Sequence, residues 1–267
     1  GAAVPLEAGD FVEEVTRLKD LVFESGSDLY VAPSLQEQTD FRALADAIWV
    51  GDTGGAQTLA DGLGYEVLEF VDNVSGSAYY GIREVLTNGV QTKGWGSYFV
   101  NPSFEADALV EVPHVLWDTN SWDVGAKSFR DARARGFLMA GAHRNANGKN
   151  TADVAHIDTS IFHHVHESWV GSSSATDAWQ IHGFDLDKHA SFPDGTDAVL
   201  SNGDGSVSSE VLHLDGRFDE DGLVAYAYNT LNPNDPLNLL VNDGVDGTTF
   251  SGAFDPDDKG LAGKSND

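Results

Sequence analysis

The chain is predicted to fold as an α/β protein of three layers, a mostly parallel or mixed central sheet with helices on both faces. Three observations predict this. Between residues 107 and 203, short apolar runs alternate with helix-like segments, the pattern of strand-helix-strand units with right-handed crossovers. Upstream, three short runs rich in β-branched and aromatic residues, separated by Gly/Asn/Ser turns, read as an antiparallel meander. Finally, three apolar runs end in histidine: Ala108-Leu-Val-Glu-Val-Pro-His114, Gly136-Phe-Leu-Met-Ala-Gly-Ala-His143 and Ala178-Trp-Gln-Ile-His182. Neighbouring parallel strands would deliver all three imidazoles to one sheet edge, where open α/β sheets bind ligands.

Each element follows from local pattern. Residues 10–24 and 37–49, the latter around Phe41, Leu44, Ala45 and Ile48, carry apolar side chains at helical spacing. A short strand, Leu29-Tyr-Val-Ala32, is expected between these two helices. Tyr65–Val71, Tyr79–Val85 and Trp95–Val100 are the meander strands. Residues 107–112 form the next strand, and a helix capped by Asn120 or Ser121 runs to about Arg135, with Asp123 in its first turn and Gly136 as its stop. A strand at 137–142 follows. A second helix is expected from Asp153 or Asp158 to Trp169, then strands at 178–182 and Asp197–Ser201. The tail, 232–267, is dense in Asn, Asp, Gly and Pro and reads as a surface loop with frayed final residues.

At 267 residues the chain is expected to form one α/β domain with an N-terminal helical segment, 1–60. No apolar run approaches the ~18 residues of a membrane span. The start, Gly-Ala-Ala-Val-Pro, fits a processed or tagged terminus, so both an exported and a cytoplasmic origin are compatible with it. There are no cysteines, which excludes disulfides, thiolate zinc sites and cysteine nucleophiles.

The formal net charge is -28, from 43 acidic against 15 basic residues. A carboxylate surface spread along the chain stays hydrated in high salt, which also screens its self-repulsion. A soluble protein of a high-salt environment is therefore expected. Calcium decoration is the competing explanation, at Asn202-Gly-Asp204 or Asp255-Pro-Asp257-Asp258, although neither matches an EF-hand loop. Nucleic acid is not an expected partner, because this surface repels phosphates, and without a long apolar run neither is a membrane.

The sharpest local element is His114-Val-Leu-Trp-Asp118. Pro113 ends the strand, and a carboxylate four residues after the histidine can turn back toward the same point. His182, before Gly183, is the best third ligand. Two histidines and one carboxylate with an open fourth position compose a catalytic zinc centre, although another divalent metal would also fit. The alternative is that His114 caps the following helix and Asp118 forms a turn.

Around this core, Arg144 can hold a substrate carboxylate in its planar fork, with Asn147 beside it. A surface salt bridge is the plainer role for Arg144. His143 or His156 can transfer protons. Positions 156, 160, 163 and 167 would share one helix face. His163, His164 and His166 read as packed or solvated helix residues. No nucleophile elbow, phosphate-binding loop or His-Glu-x-x-His pair is present.

His114, Asp118 and His182 together resemble the zinc site of poly-γ-glutamate hydrolases, and more broadly the zinc amidohydrolases of the phosphorylase/hydrolase-like fold, including N-formylglutamate amidohydrolases. Asp118 stands where these families usually have glutamate, and carboxypeptidases space the first two ligands more closely. The resemblance implies a zinc-dependent hydrolase of an amide bond next to a carboxylate, acting on a small-molecule or peptide-like substrate, with a catalytic glutamate for which Glu210 and Glu167 are candidates. A metal-dependent phosphoesterase or carboxylic-ester hydrolase is the second reading. A non-catalytic binding module is the third, and it expects the strand-end histidines more than ~8 Å apart, beyond the reach of ~2 Å ligand bonds to one ion. The oligomeric state is not specified by these features.

Overall fold

The computed structural model describes residues 4–172, 176–183, 193–201 and 207–227. The chain divides into two compact units, Gly1–Gly183 and Phe184–Asp267. In order, the first unit carries β1 (Leu6–Gly9), α1 (Phe11–Lys19), α2 (Leu35–Trp49), α3 (Thr53–Leu63), β2 (Tyr65–Asp72), β3 (Ala78–Glu84), β4 (Ser97–Val100), β5 (Ala106–Val112), α4 (Ser121–Asp131), β6 (Ala134–Met139), α5 (Ile161–Gly171) and β7 (Asp177–Gln180). The second unit carries β8 (Ala198–Leu200), α6 (Ser209–Glu220) and β9 (Ala225–Ala227), with β8 and β9 paired in parallel.

The fold of the first unit is α/β, with one seven-stranded mixed sheet in the order β1-β2-β3-β4-β6-β5-β7. The expected meander is there: β2, β3, β4 and β6 are successively antiparallel. The expected parallel set is there too, with β5 between β6 and β7 and parallel to both.

Two aromatic layers sandwich the sheet. Phe11 of α1 meets Tyr79 at 5.0 Å, Phe99 at 5.1 Å and Phe129 of α4 at 5.1 Å between ring centroids. On the other face, Phe41 of α2 meets Tyr65 at 4.9 Å, and Trp49 stacks on Trp169 of α5 at 5.2 Å. Tyr98 and Phe99 are consecutive on β4 and serve opposite layers, as the two-residue period of a strand requires.

Helix starts are specified by side-chain caps. Asp10 accepts from Val12 N at the start of α1, and Ser34 with Glu37 forms a capping box on α2. Asp52 caps α3. Ser160 accepts from His163 N at the start of α5.

Several expectations change. The segment Leu29–Ala32 is not a strand. Its backbone is instead bonded by side chains and a loop: Asn147 pairs with both the N–H and the C=O of Tyr30, and Trp95 Nε1 donates to Val31 O. Asn120 stands at the N-cap of α4 with φ +62° and makes no side-chain cap bond. That helix ends at Asp131, so Gly136 is not its stop. Gly136 lies inside β6, where a Cβ would come within 2.5 Å of Leu109 Cδ2 and 3.1 Å of the Trp169 ring. Glycine there lets α5 seat its tryptophan on the sheet. Helix α5 begins at Ile161, later than expected, because Ser160 is its cap, and Asp153 and His156 precede it in turns. The strand expected at 197–201 is β8, outside the seven-stranded sheet. The tail at 232–267 and both calcium candidates lie outside the described residues. Among those described, no helix is long and apolar enough to cross a membrane.

The topology singles out the ends of β5 and β6. The chain leaves β5 into α4, which packs over Val110, Val112 and Phe137. It leaves β6 toward α5, which packs over Gly136 on the opposite face. Adjacent parallel strands whose connections depart to opposite faces leave a gap beyond their carboxyl ends, the ligand position of open α/β sheets.

Phe11 is fully buried against five aromatic rings. Phe11→Ala is expected to cost about 3–5 kcal/mol in urea unfolding. A loss below about 1 kcal/mol, the range of a surface substitution, would show that this layer is not the core.

Candidate metal centre

The site forms where β5, β6 and β7 end. After Pro113, residues 114–118 make one helical turn, with Asp118 N donating to His114 O at 2.9 Å. This turn brings the carboxylate back over the imidazole, so that His114 Nδ1 lies 3.4 Å from Asp118 Oδ2. Just past β7, His182 reaches the same carboxylate, Nδ1 to Asp118 Oδ2 at 3.1 Å. The two rings are 4.9 Å apart at their centroids. Gly183 allows the close approach, since a Cβ there would come within 3.2 Å of Asp118 Cβ.

The loop after β6 supplies a further layer. Its residues are tied to the 23–28 segment by backbone bonds: Phe23 N to Gly141 O, His143 N to Phe23 O and Gly26 N to Asn145 O. That path carries Arg144 and Asp153 toward His114. Asp153 Oδ1 is 2.9 Å from His114 Nε2, while Asp153 Oδ2 lies 2.7 Å from an Arg144 Nη and 3.1 Å from His156 Nδ1. His114 and Asp153 are almost completely buried.

His114 is thus held between two carboxylates. Burial pulls its pKa down, but Asp118 and Asp153 outweigh burial and raise it to about 9. Burial would raise both acids, yet the histidines hold each well below the usual carboxylate range. In a metal-free protein at neutral pH, a proton therefore occupies the place between His114 Nδ1 and Asp118.

Among the described residues, two groups of side chains could hold a metal ion, each with its ligand atoms within 4.8 Å of one another: His114, Asp118 and His182, or His114, Asp153 and His156. They share His114 through opposite nitrogens. Arg144 decides between them. Its fixed charge on Asp153 would repel a cation placed there, by about 4 kcal/mol per unit charge at 4 Å in an effective dielectric of 20. The first group has no such occupant. It presents His114 Nδ1, a buried atom 3.4 Å from Asp118 Oδ2, and offers two nitrogens and one oxygen, a donor set that suits a divalent transition ion. Asp153 then holds the far nitrogen of His114, the carboxylate-histidine arrangement that orients metal-binding imidazoles.

The other expected residues are placed as follows. His143 lies beside Trp117, with ring centroids 5.6 Å apart, and its Nδ1 accepts from Asn145 N at 2.9 Å. Burial, with Arg144 and His114 adding to it and Glu24 opposing, lowers its pKa. Arg144 is committed to Asp153 and also lies 5.3 Å over the Trp117 ring. The Asn147 amide is taken up by the Tyr30 backbone. His156 is partly exposed and stacks near His114 at 6.4 Å.

Glu167 of α5 pairs with Arg42 of α2 and with His163 and His164 of its own helix rather than with the strand-end cluster. Glu210 belongs to the second unit, exposed in the first turn of α6. The sequence reading did not assign a site role to Asp153. Its signal was present as an aspartate three residues before a histidine.

The spacing of more than ~8 Å expected for a non-catalytic module does not describe His114 and His182. Because His114 carries a proton at pH 7.5, cation binding there should release about one proton. Calorimetric titration with zinc in buffers of different ionisation enthalpy reads this directly, and a heat independent of buffer would contradict the geometry. Asp153→Ala removes the counter-charge of buried Arg144 and should destabilise the protein by about 3–5 kcal/mol, measured in urea. A neutral result would show that the Asp153 cluster is not a buried charge network. Comparison with protein-family models, with curated proteins and with solved structures gave no match in any of the three.

Proposed function

We propose that this chain is a zinc-dependent hydrolase of an amide bond next to a carboxylate, of the γ-glutamyl, N-acyl amino acid or cell-wall peptide type. One observation carries the reading: His114 Nδ1 and His182 Nδ1 converge on Asp118 Oδ2, while the far nitrogen of each ring is held by another side chain. In the metal-free protein a proton between His114 and Asp118 balances this convergence, and a divalent cation among the three groups would take its place. When bound, zinc supplies an electrophile that acidifies water and polarises a carbonyl.

The chain's own residues divide the remaining work. Asp153, anchored by Arg144, fixes the ring of His114. His143 accepts a backbone N–H at Nδ1, so its neutral form carries its proton on Nε2 and can donate to a developing oxyanion. His156, partly exposed beside Asp153, is placed to exchange protons with solvent. We assign the substrate side to the half-exposed face of Trp117, for an acyl chain, and to the Arg144 guanidinium over it, which would share its charge between Asp153 and the neighbouring carboxylate. Arg144 already balances Asp153, which suits a singly charged carboxylate better than a phosphate dianion. The resemblance of His114, Asp118 and His182 to zinc amidohydrolases supports the same choice.

The test is a substrate panel of N-acyl amino acids, γ-glutamyl amides, carboxylic esters and phosphoesters, run with zinc and with a chelator. Hydrolysis of an amide is expected, lost with the chelator and restored by zinc. His114→Ala should lower kcat/KM by roughly 10³-fold, as loss of several kcal/mol of electrophilic assistance predicts. Metal-dependent cleavage of phosphoesters alone would overturn the assigned bond. The absence of any metal-dependent hydrolysis would overturn the enzymatic reading.

A further inference from the structure

The strand that delivers His114 contains a carboxylate in an unfavourable place. Glu111 lies between Val110 and Val112 in β5 and is fully buried. A buried carboxylate is costly unless its oxygens are satisfied, and here both are. His166 of α5 contacts Oε1 through Nδ1 at 2.6 Å, and Gln180 of β7 donates from Nε2 to Oε2 at 3.1 Å. Glu111 and Gln180 are direct partners in the β5–β7 register, so the two side chains share one face of the sheet.

We propose that Glu111, anchored by His166, acts through Gln180 to hold His182 with its Nδ1 turned to the candidate metal position. The argument rests on the direction of the hydrogen bonds. A carboxylate only accepts, so the amide of Gln180 must present its NH₂ to Glu111. Its oxygen then faces the other way, 3.1 Å from His182 Nε2. An amide oxygen also only accepts, so Nε2 keeps its proton, and Nδ1, which points at Asp118, is the nitrogen that can give up its proton and offer a lone pair to a bound cation.

Without Glu111, the Gln180 amide could rotate and offer its NH₂ to His182. The lone pair would then move to Nε2, and Nδ1–H would bond to Asp118 in place of a cation. Asp118 alone favours that unproductive tautomer, so the Gln180 oxygen acts against it. The arm mirrors the one on His114, where Asp153 is anchored by Arg144. Glu111, Gln180 and His166 are therefore positioning residues for the second imidazole, and this inference rests on the metal reading of the site.

The test measures zinc affinity by competition with a chromophoric chelator. It also records the imidazole N–H signals of the zinc-loaded, ¹⁵N-labelled protein. Gln180→Leu removes the acceptor and should weaken binding roughly 10–100-fold, the usual cost of losing such a support, and the Nε2–H signal of His182 should vanish by exchange. Gln180→Glu alone sets two carboxylates side by side and should also bind weakly. The double exchange Glu111→Gln/Gln180→Glu puts the donor on β5 and the acceptor on β7, and should return both affinity and the Nε2–H signal. That rescue does not depend on Gln180→Leu folding well. If the wild-type protein binds zinc and the variants bind equally with the signal intact, the positioning arm is overturned and the metal site stands. If the wild-type protein binds no zinc, the metal reading falls and the arm with it.

Discussion

The site depends on one buried imidazole held between two carboxylates. His114 is almost inaccessible to solvent, yet Asp118 and Asp153 lie against its two nitrogens and raise its pKa to about 9. Such an arrangement needs positive charge to be stable. Arg144 supplies it permanently on the Asp153 side. On the Asp118 side the charge is a proton or, on the proposed reading, a metal ion. The asymmetry leaves the Asp118 side of His114 as the one where a metal ion could replace a proton.

The sheet makes that arrangement possible. β5 is flanked by parallel neighbours, so its end is also the meeting point of the loops after β6 and β7. The connections to α4 and α5 leave on opposite faces, the arrangement that places a ligand beyond the strand ends in open α/β sheets. Gly136 and Gly183 are two of the close-approach positions, one under Trp169 and one against Asp118. The 141–147 loop is tied to 23–28 by backbone bonds, which fixes where Arg144 enters. The packing that builds the core also sets the geometry of the site.

What could be read from the sequence follows the range of the interactions. The trio His114, Asp118 and His182 was legible because it depends on strand ends and a single i,i+4 turn. The sheet class was legible from the alternation of apolar runs. Asp153 was not assigned to the site because its position depends on a loop whose path is fixed by pairing with residues far away in the chain. His156 was expected on a helix because the 3.6-residue pattern extends back past Ser160, but the cap at Ser160 ends the helix there. α3 was missed because Gly54, Gly55 and Gly62 depress helix propensity. It is held instead by the Asp52 cap and by burial of Ala56, Ala60 and Leu63. Glu111 was not singled out within its apolar run, because only the β5–β7 register shows that it faces Gln180.

The central claim is that a cation belongs on the Asp118 side of His114. Anomalous scattering at the zinc edge, from crystals grown with zinc, tests it most directly. The account predicts one strong peak about 2.0–2.2 Å from His114 Nδ1, His182 Nδ1 and an Asp118 oxygen. A peak on the Nε2 side, among Asp153 and His156, or no peak at either position, would contradict it.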